Sequence, residues 1–531
     1  MALSMLYYFA FLISWSTASP LNLSFPHIDL GYATHAPTFI NSTQAGLRIA
    51  NYNNIRFAQP PVGDLRFRAP QTPPPLSDGV VRGDEFVSTD CVNSVPSVAP
   101  LPPFNGTTWG QEDCLFLNVL VPEGVREGDN VPVIHWIHGS AYAFGSKDNY
   151  LLTGGFPLAL FNALDAKDEK FIFVASNYRL GLYGWMASLH EDMDANIGIH
   201  DAEVALRWTR QHISKFGGDP SRITAMGQSG GAGILNYLLV KSGDDGLPFS
   251  QAIISSPGLM PRRNVTARRQ EVYENVLAAT NCTSLHCLRF ASPDTLQRAN
   301  QYLLNVPSGT GGGAFGPGIG FAPLPDGVHY LDSPSVLLAD NTSHRGLNQL
   351  LVGNMAQDGL GLVPDENMPA AFGDLVRAVF PRADNETVRR IQKLFPFPSS
   401  NPKQLAWDWG TSVIFACNSQ SIAAAYPESA RRYVMAIPPA AHGLDLPYIF
   451  FMNNSTTPVS SPPVAREIQK YVLHFIAGHK ANASTGFPVY GSQSNIALIT
   501  GSGPGVEKDP WVNKGICKEL LAVAENPANG A

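Results

Sequence analysis

The chain carries no excess of basic charge: 36 Lys and Arg stand against 43 Asp and Glu, a formal net charge of -7. Nucleic acid is therefore not an expected partner. Cysteine is scarce, six residues in 531, and none stands in a paired zinc spacing with histidine. No metal is expected, and no cofactor either. Long apolar runs are missing as well. The stretch Met5 to Trp15 is too short to span a membrane comfortably, and the tail Lys518 to Ala531 lacks the apolar stretch of a lipid-anchor signal. No internal repeat or long linker divides the chain.

What the N-terminus does have is a short apolar core followed by the small residues Ser16-Thr17-Ala18, which reads as a signal peptide over residues 1–18 even though no Lys or Arg precedes it. A secreted, extracellular protein is the expectation, with 19–531 as one domain. Asn-x-Ser/Thr sites at Asn22, Asn41, Asn105, Asn264, Asn281, Asn341, Asn385, Asn454 and Asn482 suit that compartment as glycosylation candidates. In it the six cysteines read as disulfides, and arithmetic alone leaves their pairing open.

With 44% hydrophobic and 15% charged residues, the chain can bury an extensive core. Apolar runs between glycine and proline punctuation predict strands at Val131 to Ile137, Phe171 to Ser176, Ile223 to Met226 and Ala252 to Ser255. They alternate with helical patterns such as Ala202 to Phe216. That alternation predicts an α/β fold with a mostly parallel central sheet covered by helices on both faces. The Pro- and Gly-rich patches Pro73 to Pro75, Val95 to Phe104 and Gly309 to Gly320 read as surface loops.

The densest signal is Gly227-Gln228-Ser229-Gly230-Gly231, set between the apolar run Ile223 to Met226 and a helical one, Ile234 to Val240. A serine on a sharp strand-to-helix turn has its hydroxyl pushed clear of the sheet, and small neighbours keep the turn from clashing. The helix N-terminus behind it offers N–H groups and partial positive charge to a developing oxyanion. Such a nucleophile needs an acid and then a histidine, each after a later strand. Leu350 to Gly353 reads as a buried strand with Asp358 just beyond it, and Tyr433 to Ile437 leads through Pro438 to Ala441 into His442. Asp365 and Glu366 are the rival acids. The rival histidines, His474 and His479, fall in or next to an amphipathic helix pattern (Val464, Ile468, Tyr471, Val472, Phe475) that suits a packing or surface role better. The loop His138 to Gly145 follows the strand Val131 to Ile137 and is rich in small residues, as an oxyanion hole requires; a plain turn would account for Gly139 equally well.

Longer motifs surround these residues. Ile55-Arg56-Phe57-Ala58-Gln59-Pro60-Pro61-Val62-Gly63, Glu112-Asp113-Cys114-Leu115-Phe116-Leu117-Asn118-Val119, Phe216-Gly217-Gly218-Asp219-Pro220 before the elbow, and His442-Gly443-Leu444-Asp445-Leu446-Pro447-Tyr448 together resemble the type-B carboxylesterases and lipases, to which cholinesterases also belong. The resemblance extends nearly to the C-terminus through Phe487-Pro488-Val489-Tyr490. It implies one α/β-hydrolase domain, a small ester as substrate, catalysis by Ser229, His442 and Asp358, and an oxyanion hole of Ser140, Ala141 and Gly230. Ser256 takes the place of a serine that supports the acid, although a turn residue after a strand is an equal reading. The implied disulfides are Cys91 with Cys114, Cys282 with Cys287, and Cys417 with Cys517.

The chain departs from the family in ways that bear on substrate. Gln228 and Gly230 replace the usual Glu and Ala around the serine, Asp358 replaces a Glu, and Ser140-Ala141 replaces glycines. A neutral Gln228, and a Trp109 that does not align with the choline-stacking tryptophan, disfavour a cholinesterase. A carboxylesterase is the expectation. A triglyceride lipase, or a binding module of the same fold that has lost catalysis, are the alternatives; the second typically lacks one of the three residues, and here all are in place. Oligomeric state is left open.

Overall fold

A computed structural model describes residues 25–531 apart from 76–78, 87, 98–103, 149–155, 166–168, 244, 264, 307–319 and 479–485. The signal-peptide segment, Asn22, Asn264, Asn482, His479 and nearly all of the Gly309 to Gly320 patch lie outside the described residues.

Among the described residues, eleven strands form the main sheet: β1 (Phe39–Ser42), β2 (Arg48–Arg56), β3 (Phe116–Pro122), β4 (Val131–Ile137), β5 (Ile172–Ser176), β6 (Gly218–Gln228), β7 (Gln251–Ser255), β8 (Gln349–Met355), β9 (Ala430–Met435), β10 (Asn495–Thr500) and β11 (Gly503–Lys508). Their spatial order is β11-β10-β9-β8-β7-β6-β4-β5-β3-β2-β1. From β5 to β10 every pairing is parallel, while β3 pairs antiparallel with β5, and β11 with β10. The expected mostly parallel sheet is present, with antiparallel margins.

Strands β4, β5, β7, β8 and β9 are buried on both faces, as continuous apolar runs demand. Along β4, Val133 and Ile137 join one core cluster while Ile134 and Trp136 join the other. The first cluster is closed by α1 (Ile197–His212) and α2 (Gly230–Leu239), the second by α3 (Pro462–Ile476). Proline at the start of α3 costs no hydrogen bond, and Val464, Ile468, Tyr471, Val472 and Phe475 make its buried stripe. All ten residues of α2 are buried, so this helix is part of the core itself.

The register aligns the strand ends. Gly227 faces Ile137, Gln228 faces Ser255, Ser255 faces Gly353, and Met355 faces Met435. The loops that follow β4, β6, β7, β8 and β9 therefore emerge along one edge, where open α/β sheets bind ligands.

All three implied disulfides form: Cys91–Cys114, Cys282–Cys287 and Cys417–Cys517. The last spans 100 residues and ties the C-terminal helix Ile516–Glu525 to the helix that begins at Cys417. Replacing both of its cysteines by serine is expected to remove about 4–5 kcal/mol of stability in the chain-entropy model. A thermal melt without a fall in Tm would count against that role.

Candidate active site

Ser229 sits between the end of β6 and the start of α2 with φ 55° and ψ -121°, a strained conformation for a residue with a Cβ. The flanking glycines are required by space. A Cβ on Gly227 would come within 2.7 Å of the Gly231 backbone, and one on Gly231 within 2.2 Å of the Ile137 carbonyl. The turn is held from below by the Ser229 N–H, which donates to the Ser255 carbonyl at 2.9 Å.

Three of the expected residues come together in one line of hydrogen bonds. Ser229 Oγ lies 2.9 Å from His442 Nε2, and His442 Nδ1 lies 2.6 Å from Asp358 Oδ1. Asp358 is fully buried; its second oxygen accepts the Met355 N–H at 2.8 Å and the Ser256 hydroxyl at 3.2 Å. A carboxylate with three donors around it holds the Nδ1–H tautomer of the imidazole and leaves Nε2 to accept from the serine. The His442 ring also packs on Phe415, with centroids 4.4 Å apart. Gln228 Nε2 stands 3.2 Å from His442 Nε2, so the residue before the serine touches the histidine as well.

The rival groups are placed elsewhere. Asp365 binds Lys403 at 2.9 Å and the Trp407 indole N–H at 2.8 Å, and His474 is exposed on α3. Asp445, buried three residues after His442, accepts the Tyr433 hydroxyl at 2.7 Å, and that hydroxyl bonds to Ser255 at 2.8 Å. Burial pushes the Asp445 carboxyl up from its ordinary value, against the Tyr433 hydrogen bond, with the nearby Asp358 charge pushing the same way as burial. A second serine–histidine contact, Ser176 to His135 at 2.9 Å, is sealed within the sheet; Thr209 takes the other ring nitrogen, and burial lowers the His135 pKa to about 3. With no access to solvent and, among the described residues, no carboxylate partner, that pair is structural.

The loop after β4 has an unusual backbone: Ser140, Ala141 and Tyr142 have φ of 81°, 56° and 62°. Its carbonyls are pinned from several sides. Tyr178 donates to the His138 carbonyl at 2.9 Å, and the Tyr142 carbonyl accepts from the Gly181 N–H at 2.8 Å and the Trp185 indole at 3.0 Å. Gly230 is the first residue of α2, so its N–H has no acceptor within the helix. Two residues missed in the sequence bear on these groups through their contacts. Phe415 belongs to a π-helical segment, Thr411–Ala416, and Asn418 donates to the Pro257, Leu259 and Ile414 carbonyls. A π turn next to functional groups is a recurring arrangement.

A family model described as the Carboxylesterase family matches residues 39–391. Carboxylesterase patB of Penicillium expansum is 29% identical, covering 93% of this chain and 95% of its own length. Secreted triacylglycerol lipase LIP1 of Gibberella zeae is 31% identical over 56% of this chain and 53% of its own. Among solved structures, Aspergillus niger EstA matches with a TM-score of 0.78 at 25% identity, covering 94% of this chain and 98% of that one. The sequence match runs through the elbow and most of the loops that reach the same sheet edge, and the chain belongs to the carboxylesterase family, an ester hydrolase on the α/β-hydrolase fold.

Proposed function

We propose that this protein is a secreted serine carboxylesterase that works through an acyl-enzyme on Ser229. The observation that carries the reading is the unbroken line from Asp358 through His442 to Ser229. Ser229 Oγ attacks the ester carbonyl as His442 Nε2 takes its proton, and Asp358 stabilises the imidazolium. The imidazolium returns that proton to the leaving alkoxide, and water activated by His442 then releases the acid. Ser140, Ala141 and Gly230 N–H groups receive the oxyanion, and Ser256 holds Asp358 in place. A stopped-flow burst of p-nitrophenol, with the acyl group found on Ser229 by mass spectrometry, tests the mechanism; acylation of any other residue would refute it.

Secretion is supported by the apolar N-terminus, three disulfides, and the exposure of Asn105, Asn281, Asn341, Asn385 and Asn454. Among the described residues no helix is long and apolar enough to cross a membrane. A lipase reading draws only on the lipase relatives. Turnover of short against long acyl p-nitrophenyl esters, with and without an oil interface, separates the two.

Charge sets a further expectation for the alcohol. A choline ammonium needs an anionic or aromatic wall, and a cation over an aromatic face gains roughly 0.5–2 kcal/mol. Gln228 puts a neutral amide beside His442. At fixed salt, kcat/KM for a neutral short-chain ester is expected to equal or exceed that for the choline ester of the same acyl group. Gln228→Glu should shift the ratio towards choline. Because the ratio cancels any loss common to both esters, it isolates recognition of the alcohol. A strong native preference for choline would reopen the cholinesterase reading.

A further inference from the structure

The geometry points to Tyr142 as a positioning residue that fixes the Ser140–Ala141 loop to the Ser229 elbow, an inference that rests on the roles proposed above for that loop and that serine. The Tyr142 hydroxyl, fully buried, donates to the Gly258 carbonyl at 2.8 Å. Gly258 in turn donates its N–H to the Ser229 carbonyl at 3.1 Å. Two hydrogen bonds thus join the loop that would supply oxyanion donors to the residue that would create the oxyanion. Burial raises the phenol well above its ordinary pKa, so the hydroxyl remains a donor throughout the working range.

The first turn of α2 is cut to fit this side chain. A Cβ on Gly230 would lie 3.3 Å from Tyr142 Cδ1 and Cε1, and one on Gly233 would lie 2.0 Å from the Tyr142 hydroxyl. The glycine at 230, where the family usually has alanine, spares the tyrosine ring a methyl that would press on it by a few tenths of an ångström. The strap that receives the hydroxyl is held on its other side, since Leu259 N–H donates to the Ile414 carbonyl at 3.1 Å. Tyr142 therefore bears on a fixed point. Three consecutive positive φ values would otherwise let the loop relax, and an oxyanion hole works only when its donors are set before the charge forms.

Tyr142→Phe keeps the ring and removes the one hydrogen bond. For p-nitrophenyl butyrate the expected result is a fall in kcat of about 10- to 100-fold, less than the 10²–10³-fold lost when an oxyanion donor is removed outright. KM should not change. A trifluoromethyl ketone, which adds Ser229 Oγ to its carbonyl and so places an anion in the loop, should lose affinity by a similar factor. A non-adding amide analogue of the substrate should bind as before. A purely structural role would weaken both inhibitors together or neither. The contact itself is tested by Gly233→Ala, expected to be strongly impaired alone and to cost clearly less when added to Tyr142→Phe, because the nearest obstruction at 2.0 Å is then gone and only the Gly258 carbonyl at 3.1 Å and Leu259 Cγ at 3.2 Å crowd the methyl. Unchanged kcat in Tyr142→Phe, or additive losses in the double variant, overturns the inference while Ser229→Ala is inactive. An active Ser229→Ala takes down the parent reading and this one together.

Discussion

Ser229→Ala is expected to lower kcat on p-nitrophenyl esters by about 10⁴- to 10⁶-fold and to leave the fold intact. The hydroxyl makes no capping bond to α2, and its described partner is His442 Nε2, so its loss removes no structural contact. Alanine meets the same φ of 55° that serine already accepts, and the strain of the turn is unchanged. What disappears is the nucleophile. Rates should be measured on protein shown by thermal melt and far-UV circular dichroism to be folded. A folded variant with native-like turnover would remove this serine from the mechanism.

Asp358→Asn should cost roughly 10⁴-fold in kcat through the tautomer of His442. Among the described residues the hydrogen-bond partners of this carboxylate are all donors: the Met355 N–H, the Ser256 hydroxyl and the His442 ring. An asparagine can turn its single oxygen towards Met355 and Ser256, but its amide N–H then faces His442 Nδ1 and demands a lone pair there. The ring must move its proton to Nε2, where it can no longer accept from Ser229. Asp358→Glu, which restores the usual family residue, should retain measurable activity at a stability cost of about 1–3 kcal/mol for the extra methylene in a fully buried site. If Asp358→Asn hydrolyses esters normally, another acid carries the role, and Asp365 and Asp445 would each have to leave their present partners to do so.

The parallel half of the sheet was legible because its strands are short apolar runs between turn residues. Val131–Ile137 matches at both ends, and the strand at Phe171 to Ser176 begins one residue later than read. The elbow strand is longer than its apolar run. It starts at Gly218, whose pairing with Val131 is separated from the rest of the ladder by a register shift, so the polar residues between gave no strand signal. Strand direction at the margins is set by connections and pairing, not by local pattern, so the antiparallel edges had no signature.

Ser229, Asp358 and His442 were readable because each follows a strand at a turn of small residues. For Ser256 the sequence carries two equal readings, a support for the acid and a turn residue, and its hydroxyl lies 3.2 Å from Asp358. Tyr142, Phe415 and Asn418 were not readable. Each acts through contacts with residues far along the chain, and an aromatic or an asparagine within an apolar stretch carries no mark of what it will touch.

The π-helical segment Thr411–Ala416 is a bookkeeping device of the backbone, since it holds more residues per turn than the helices on either side of it. Each α-helical residue advances the side-chain direction by about 100°. Excising one residue from the segment would let an unbroken α-helix join the two flanking helices in their present directions, because the wide turn already holds its extra residue within one revolution. The side chains inside the segment would be redistributed around the narrower turn, so Phe415, which packs on His442, would change direction, while Asn418, beyond the segment's end, would keep its hold on the Pro257–Leu259 strap. Length, rather than identity, is the constraint on this stretch: substitutions there can be absorbed by packing, whereas a one-residue deletion re-aims the histidine's ring partner and leaves the strap beneath the serine in place.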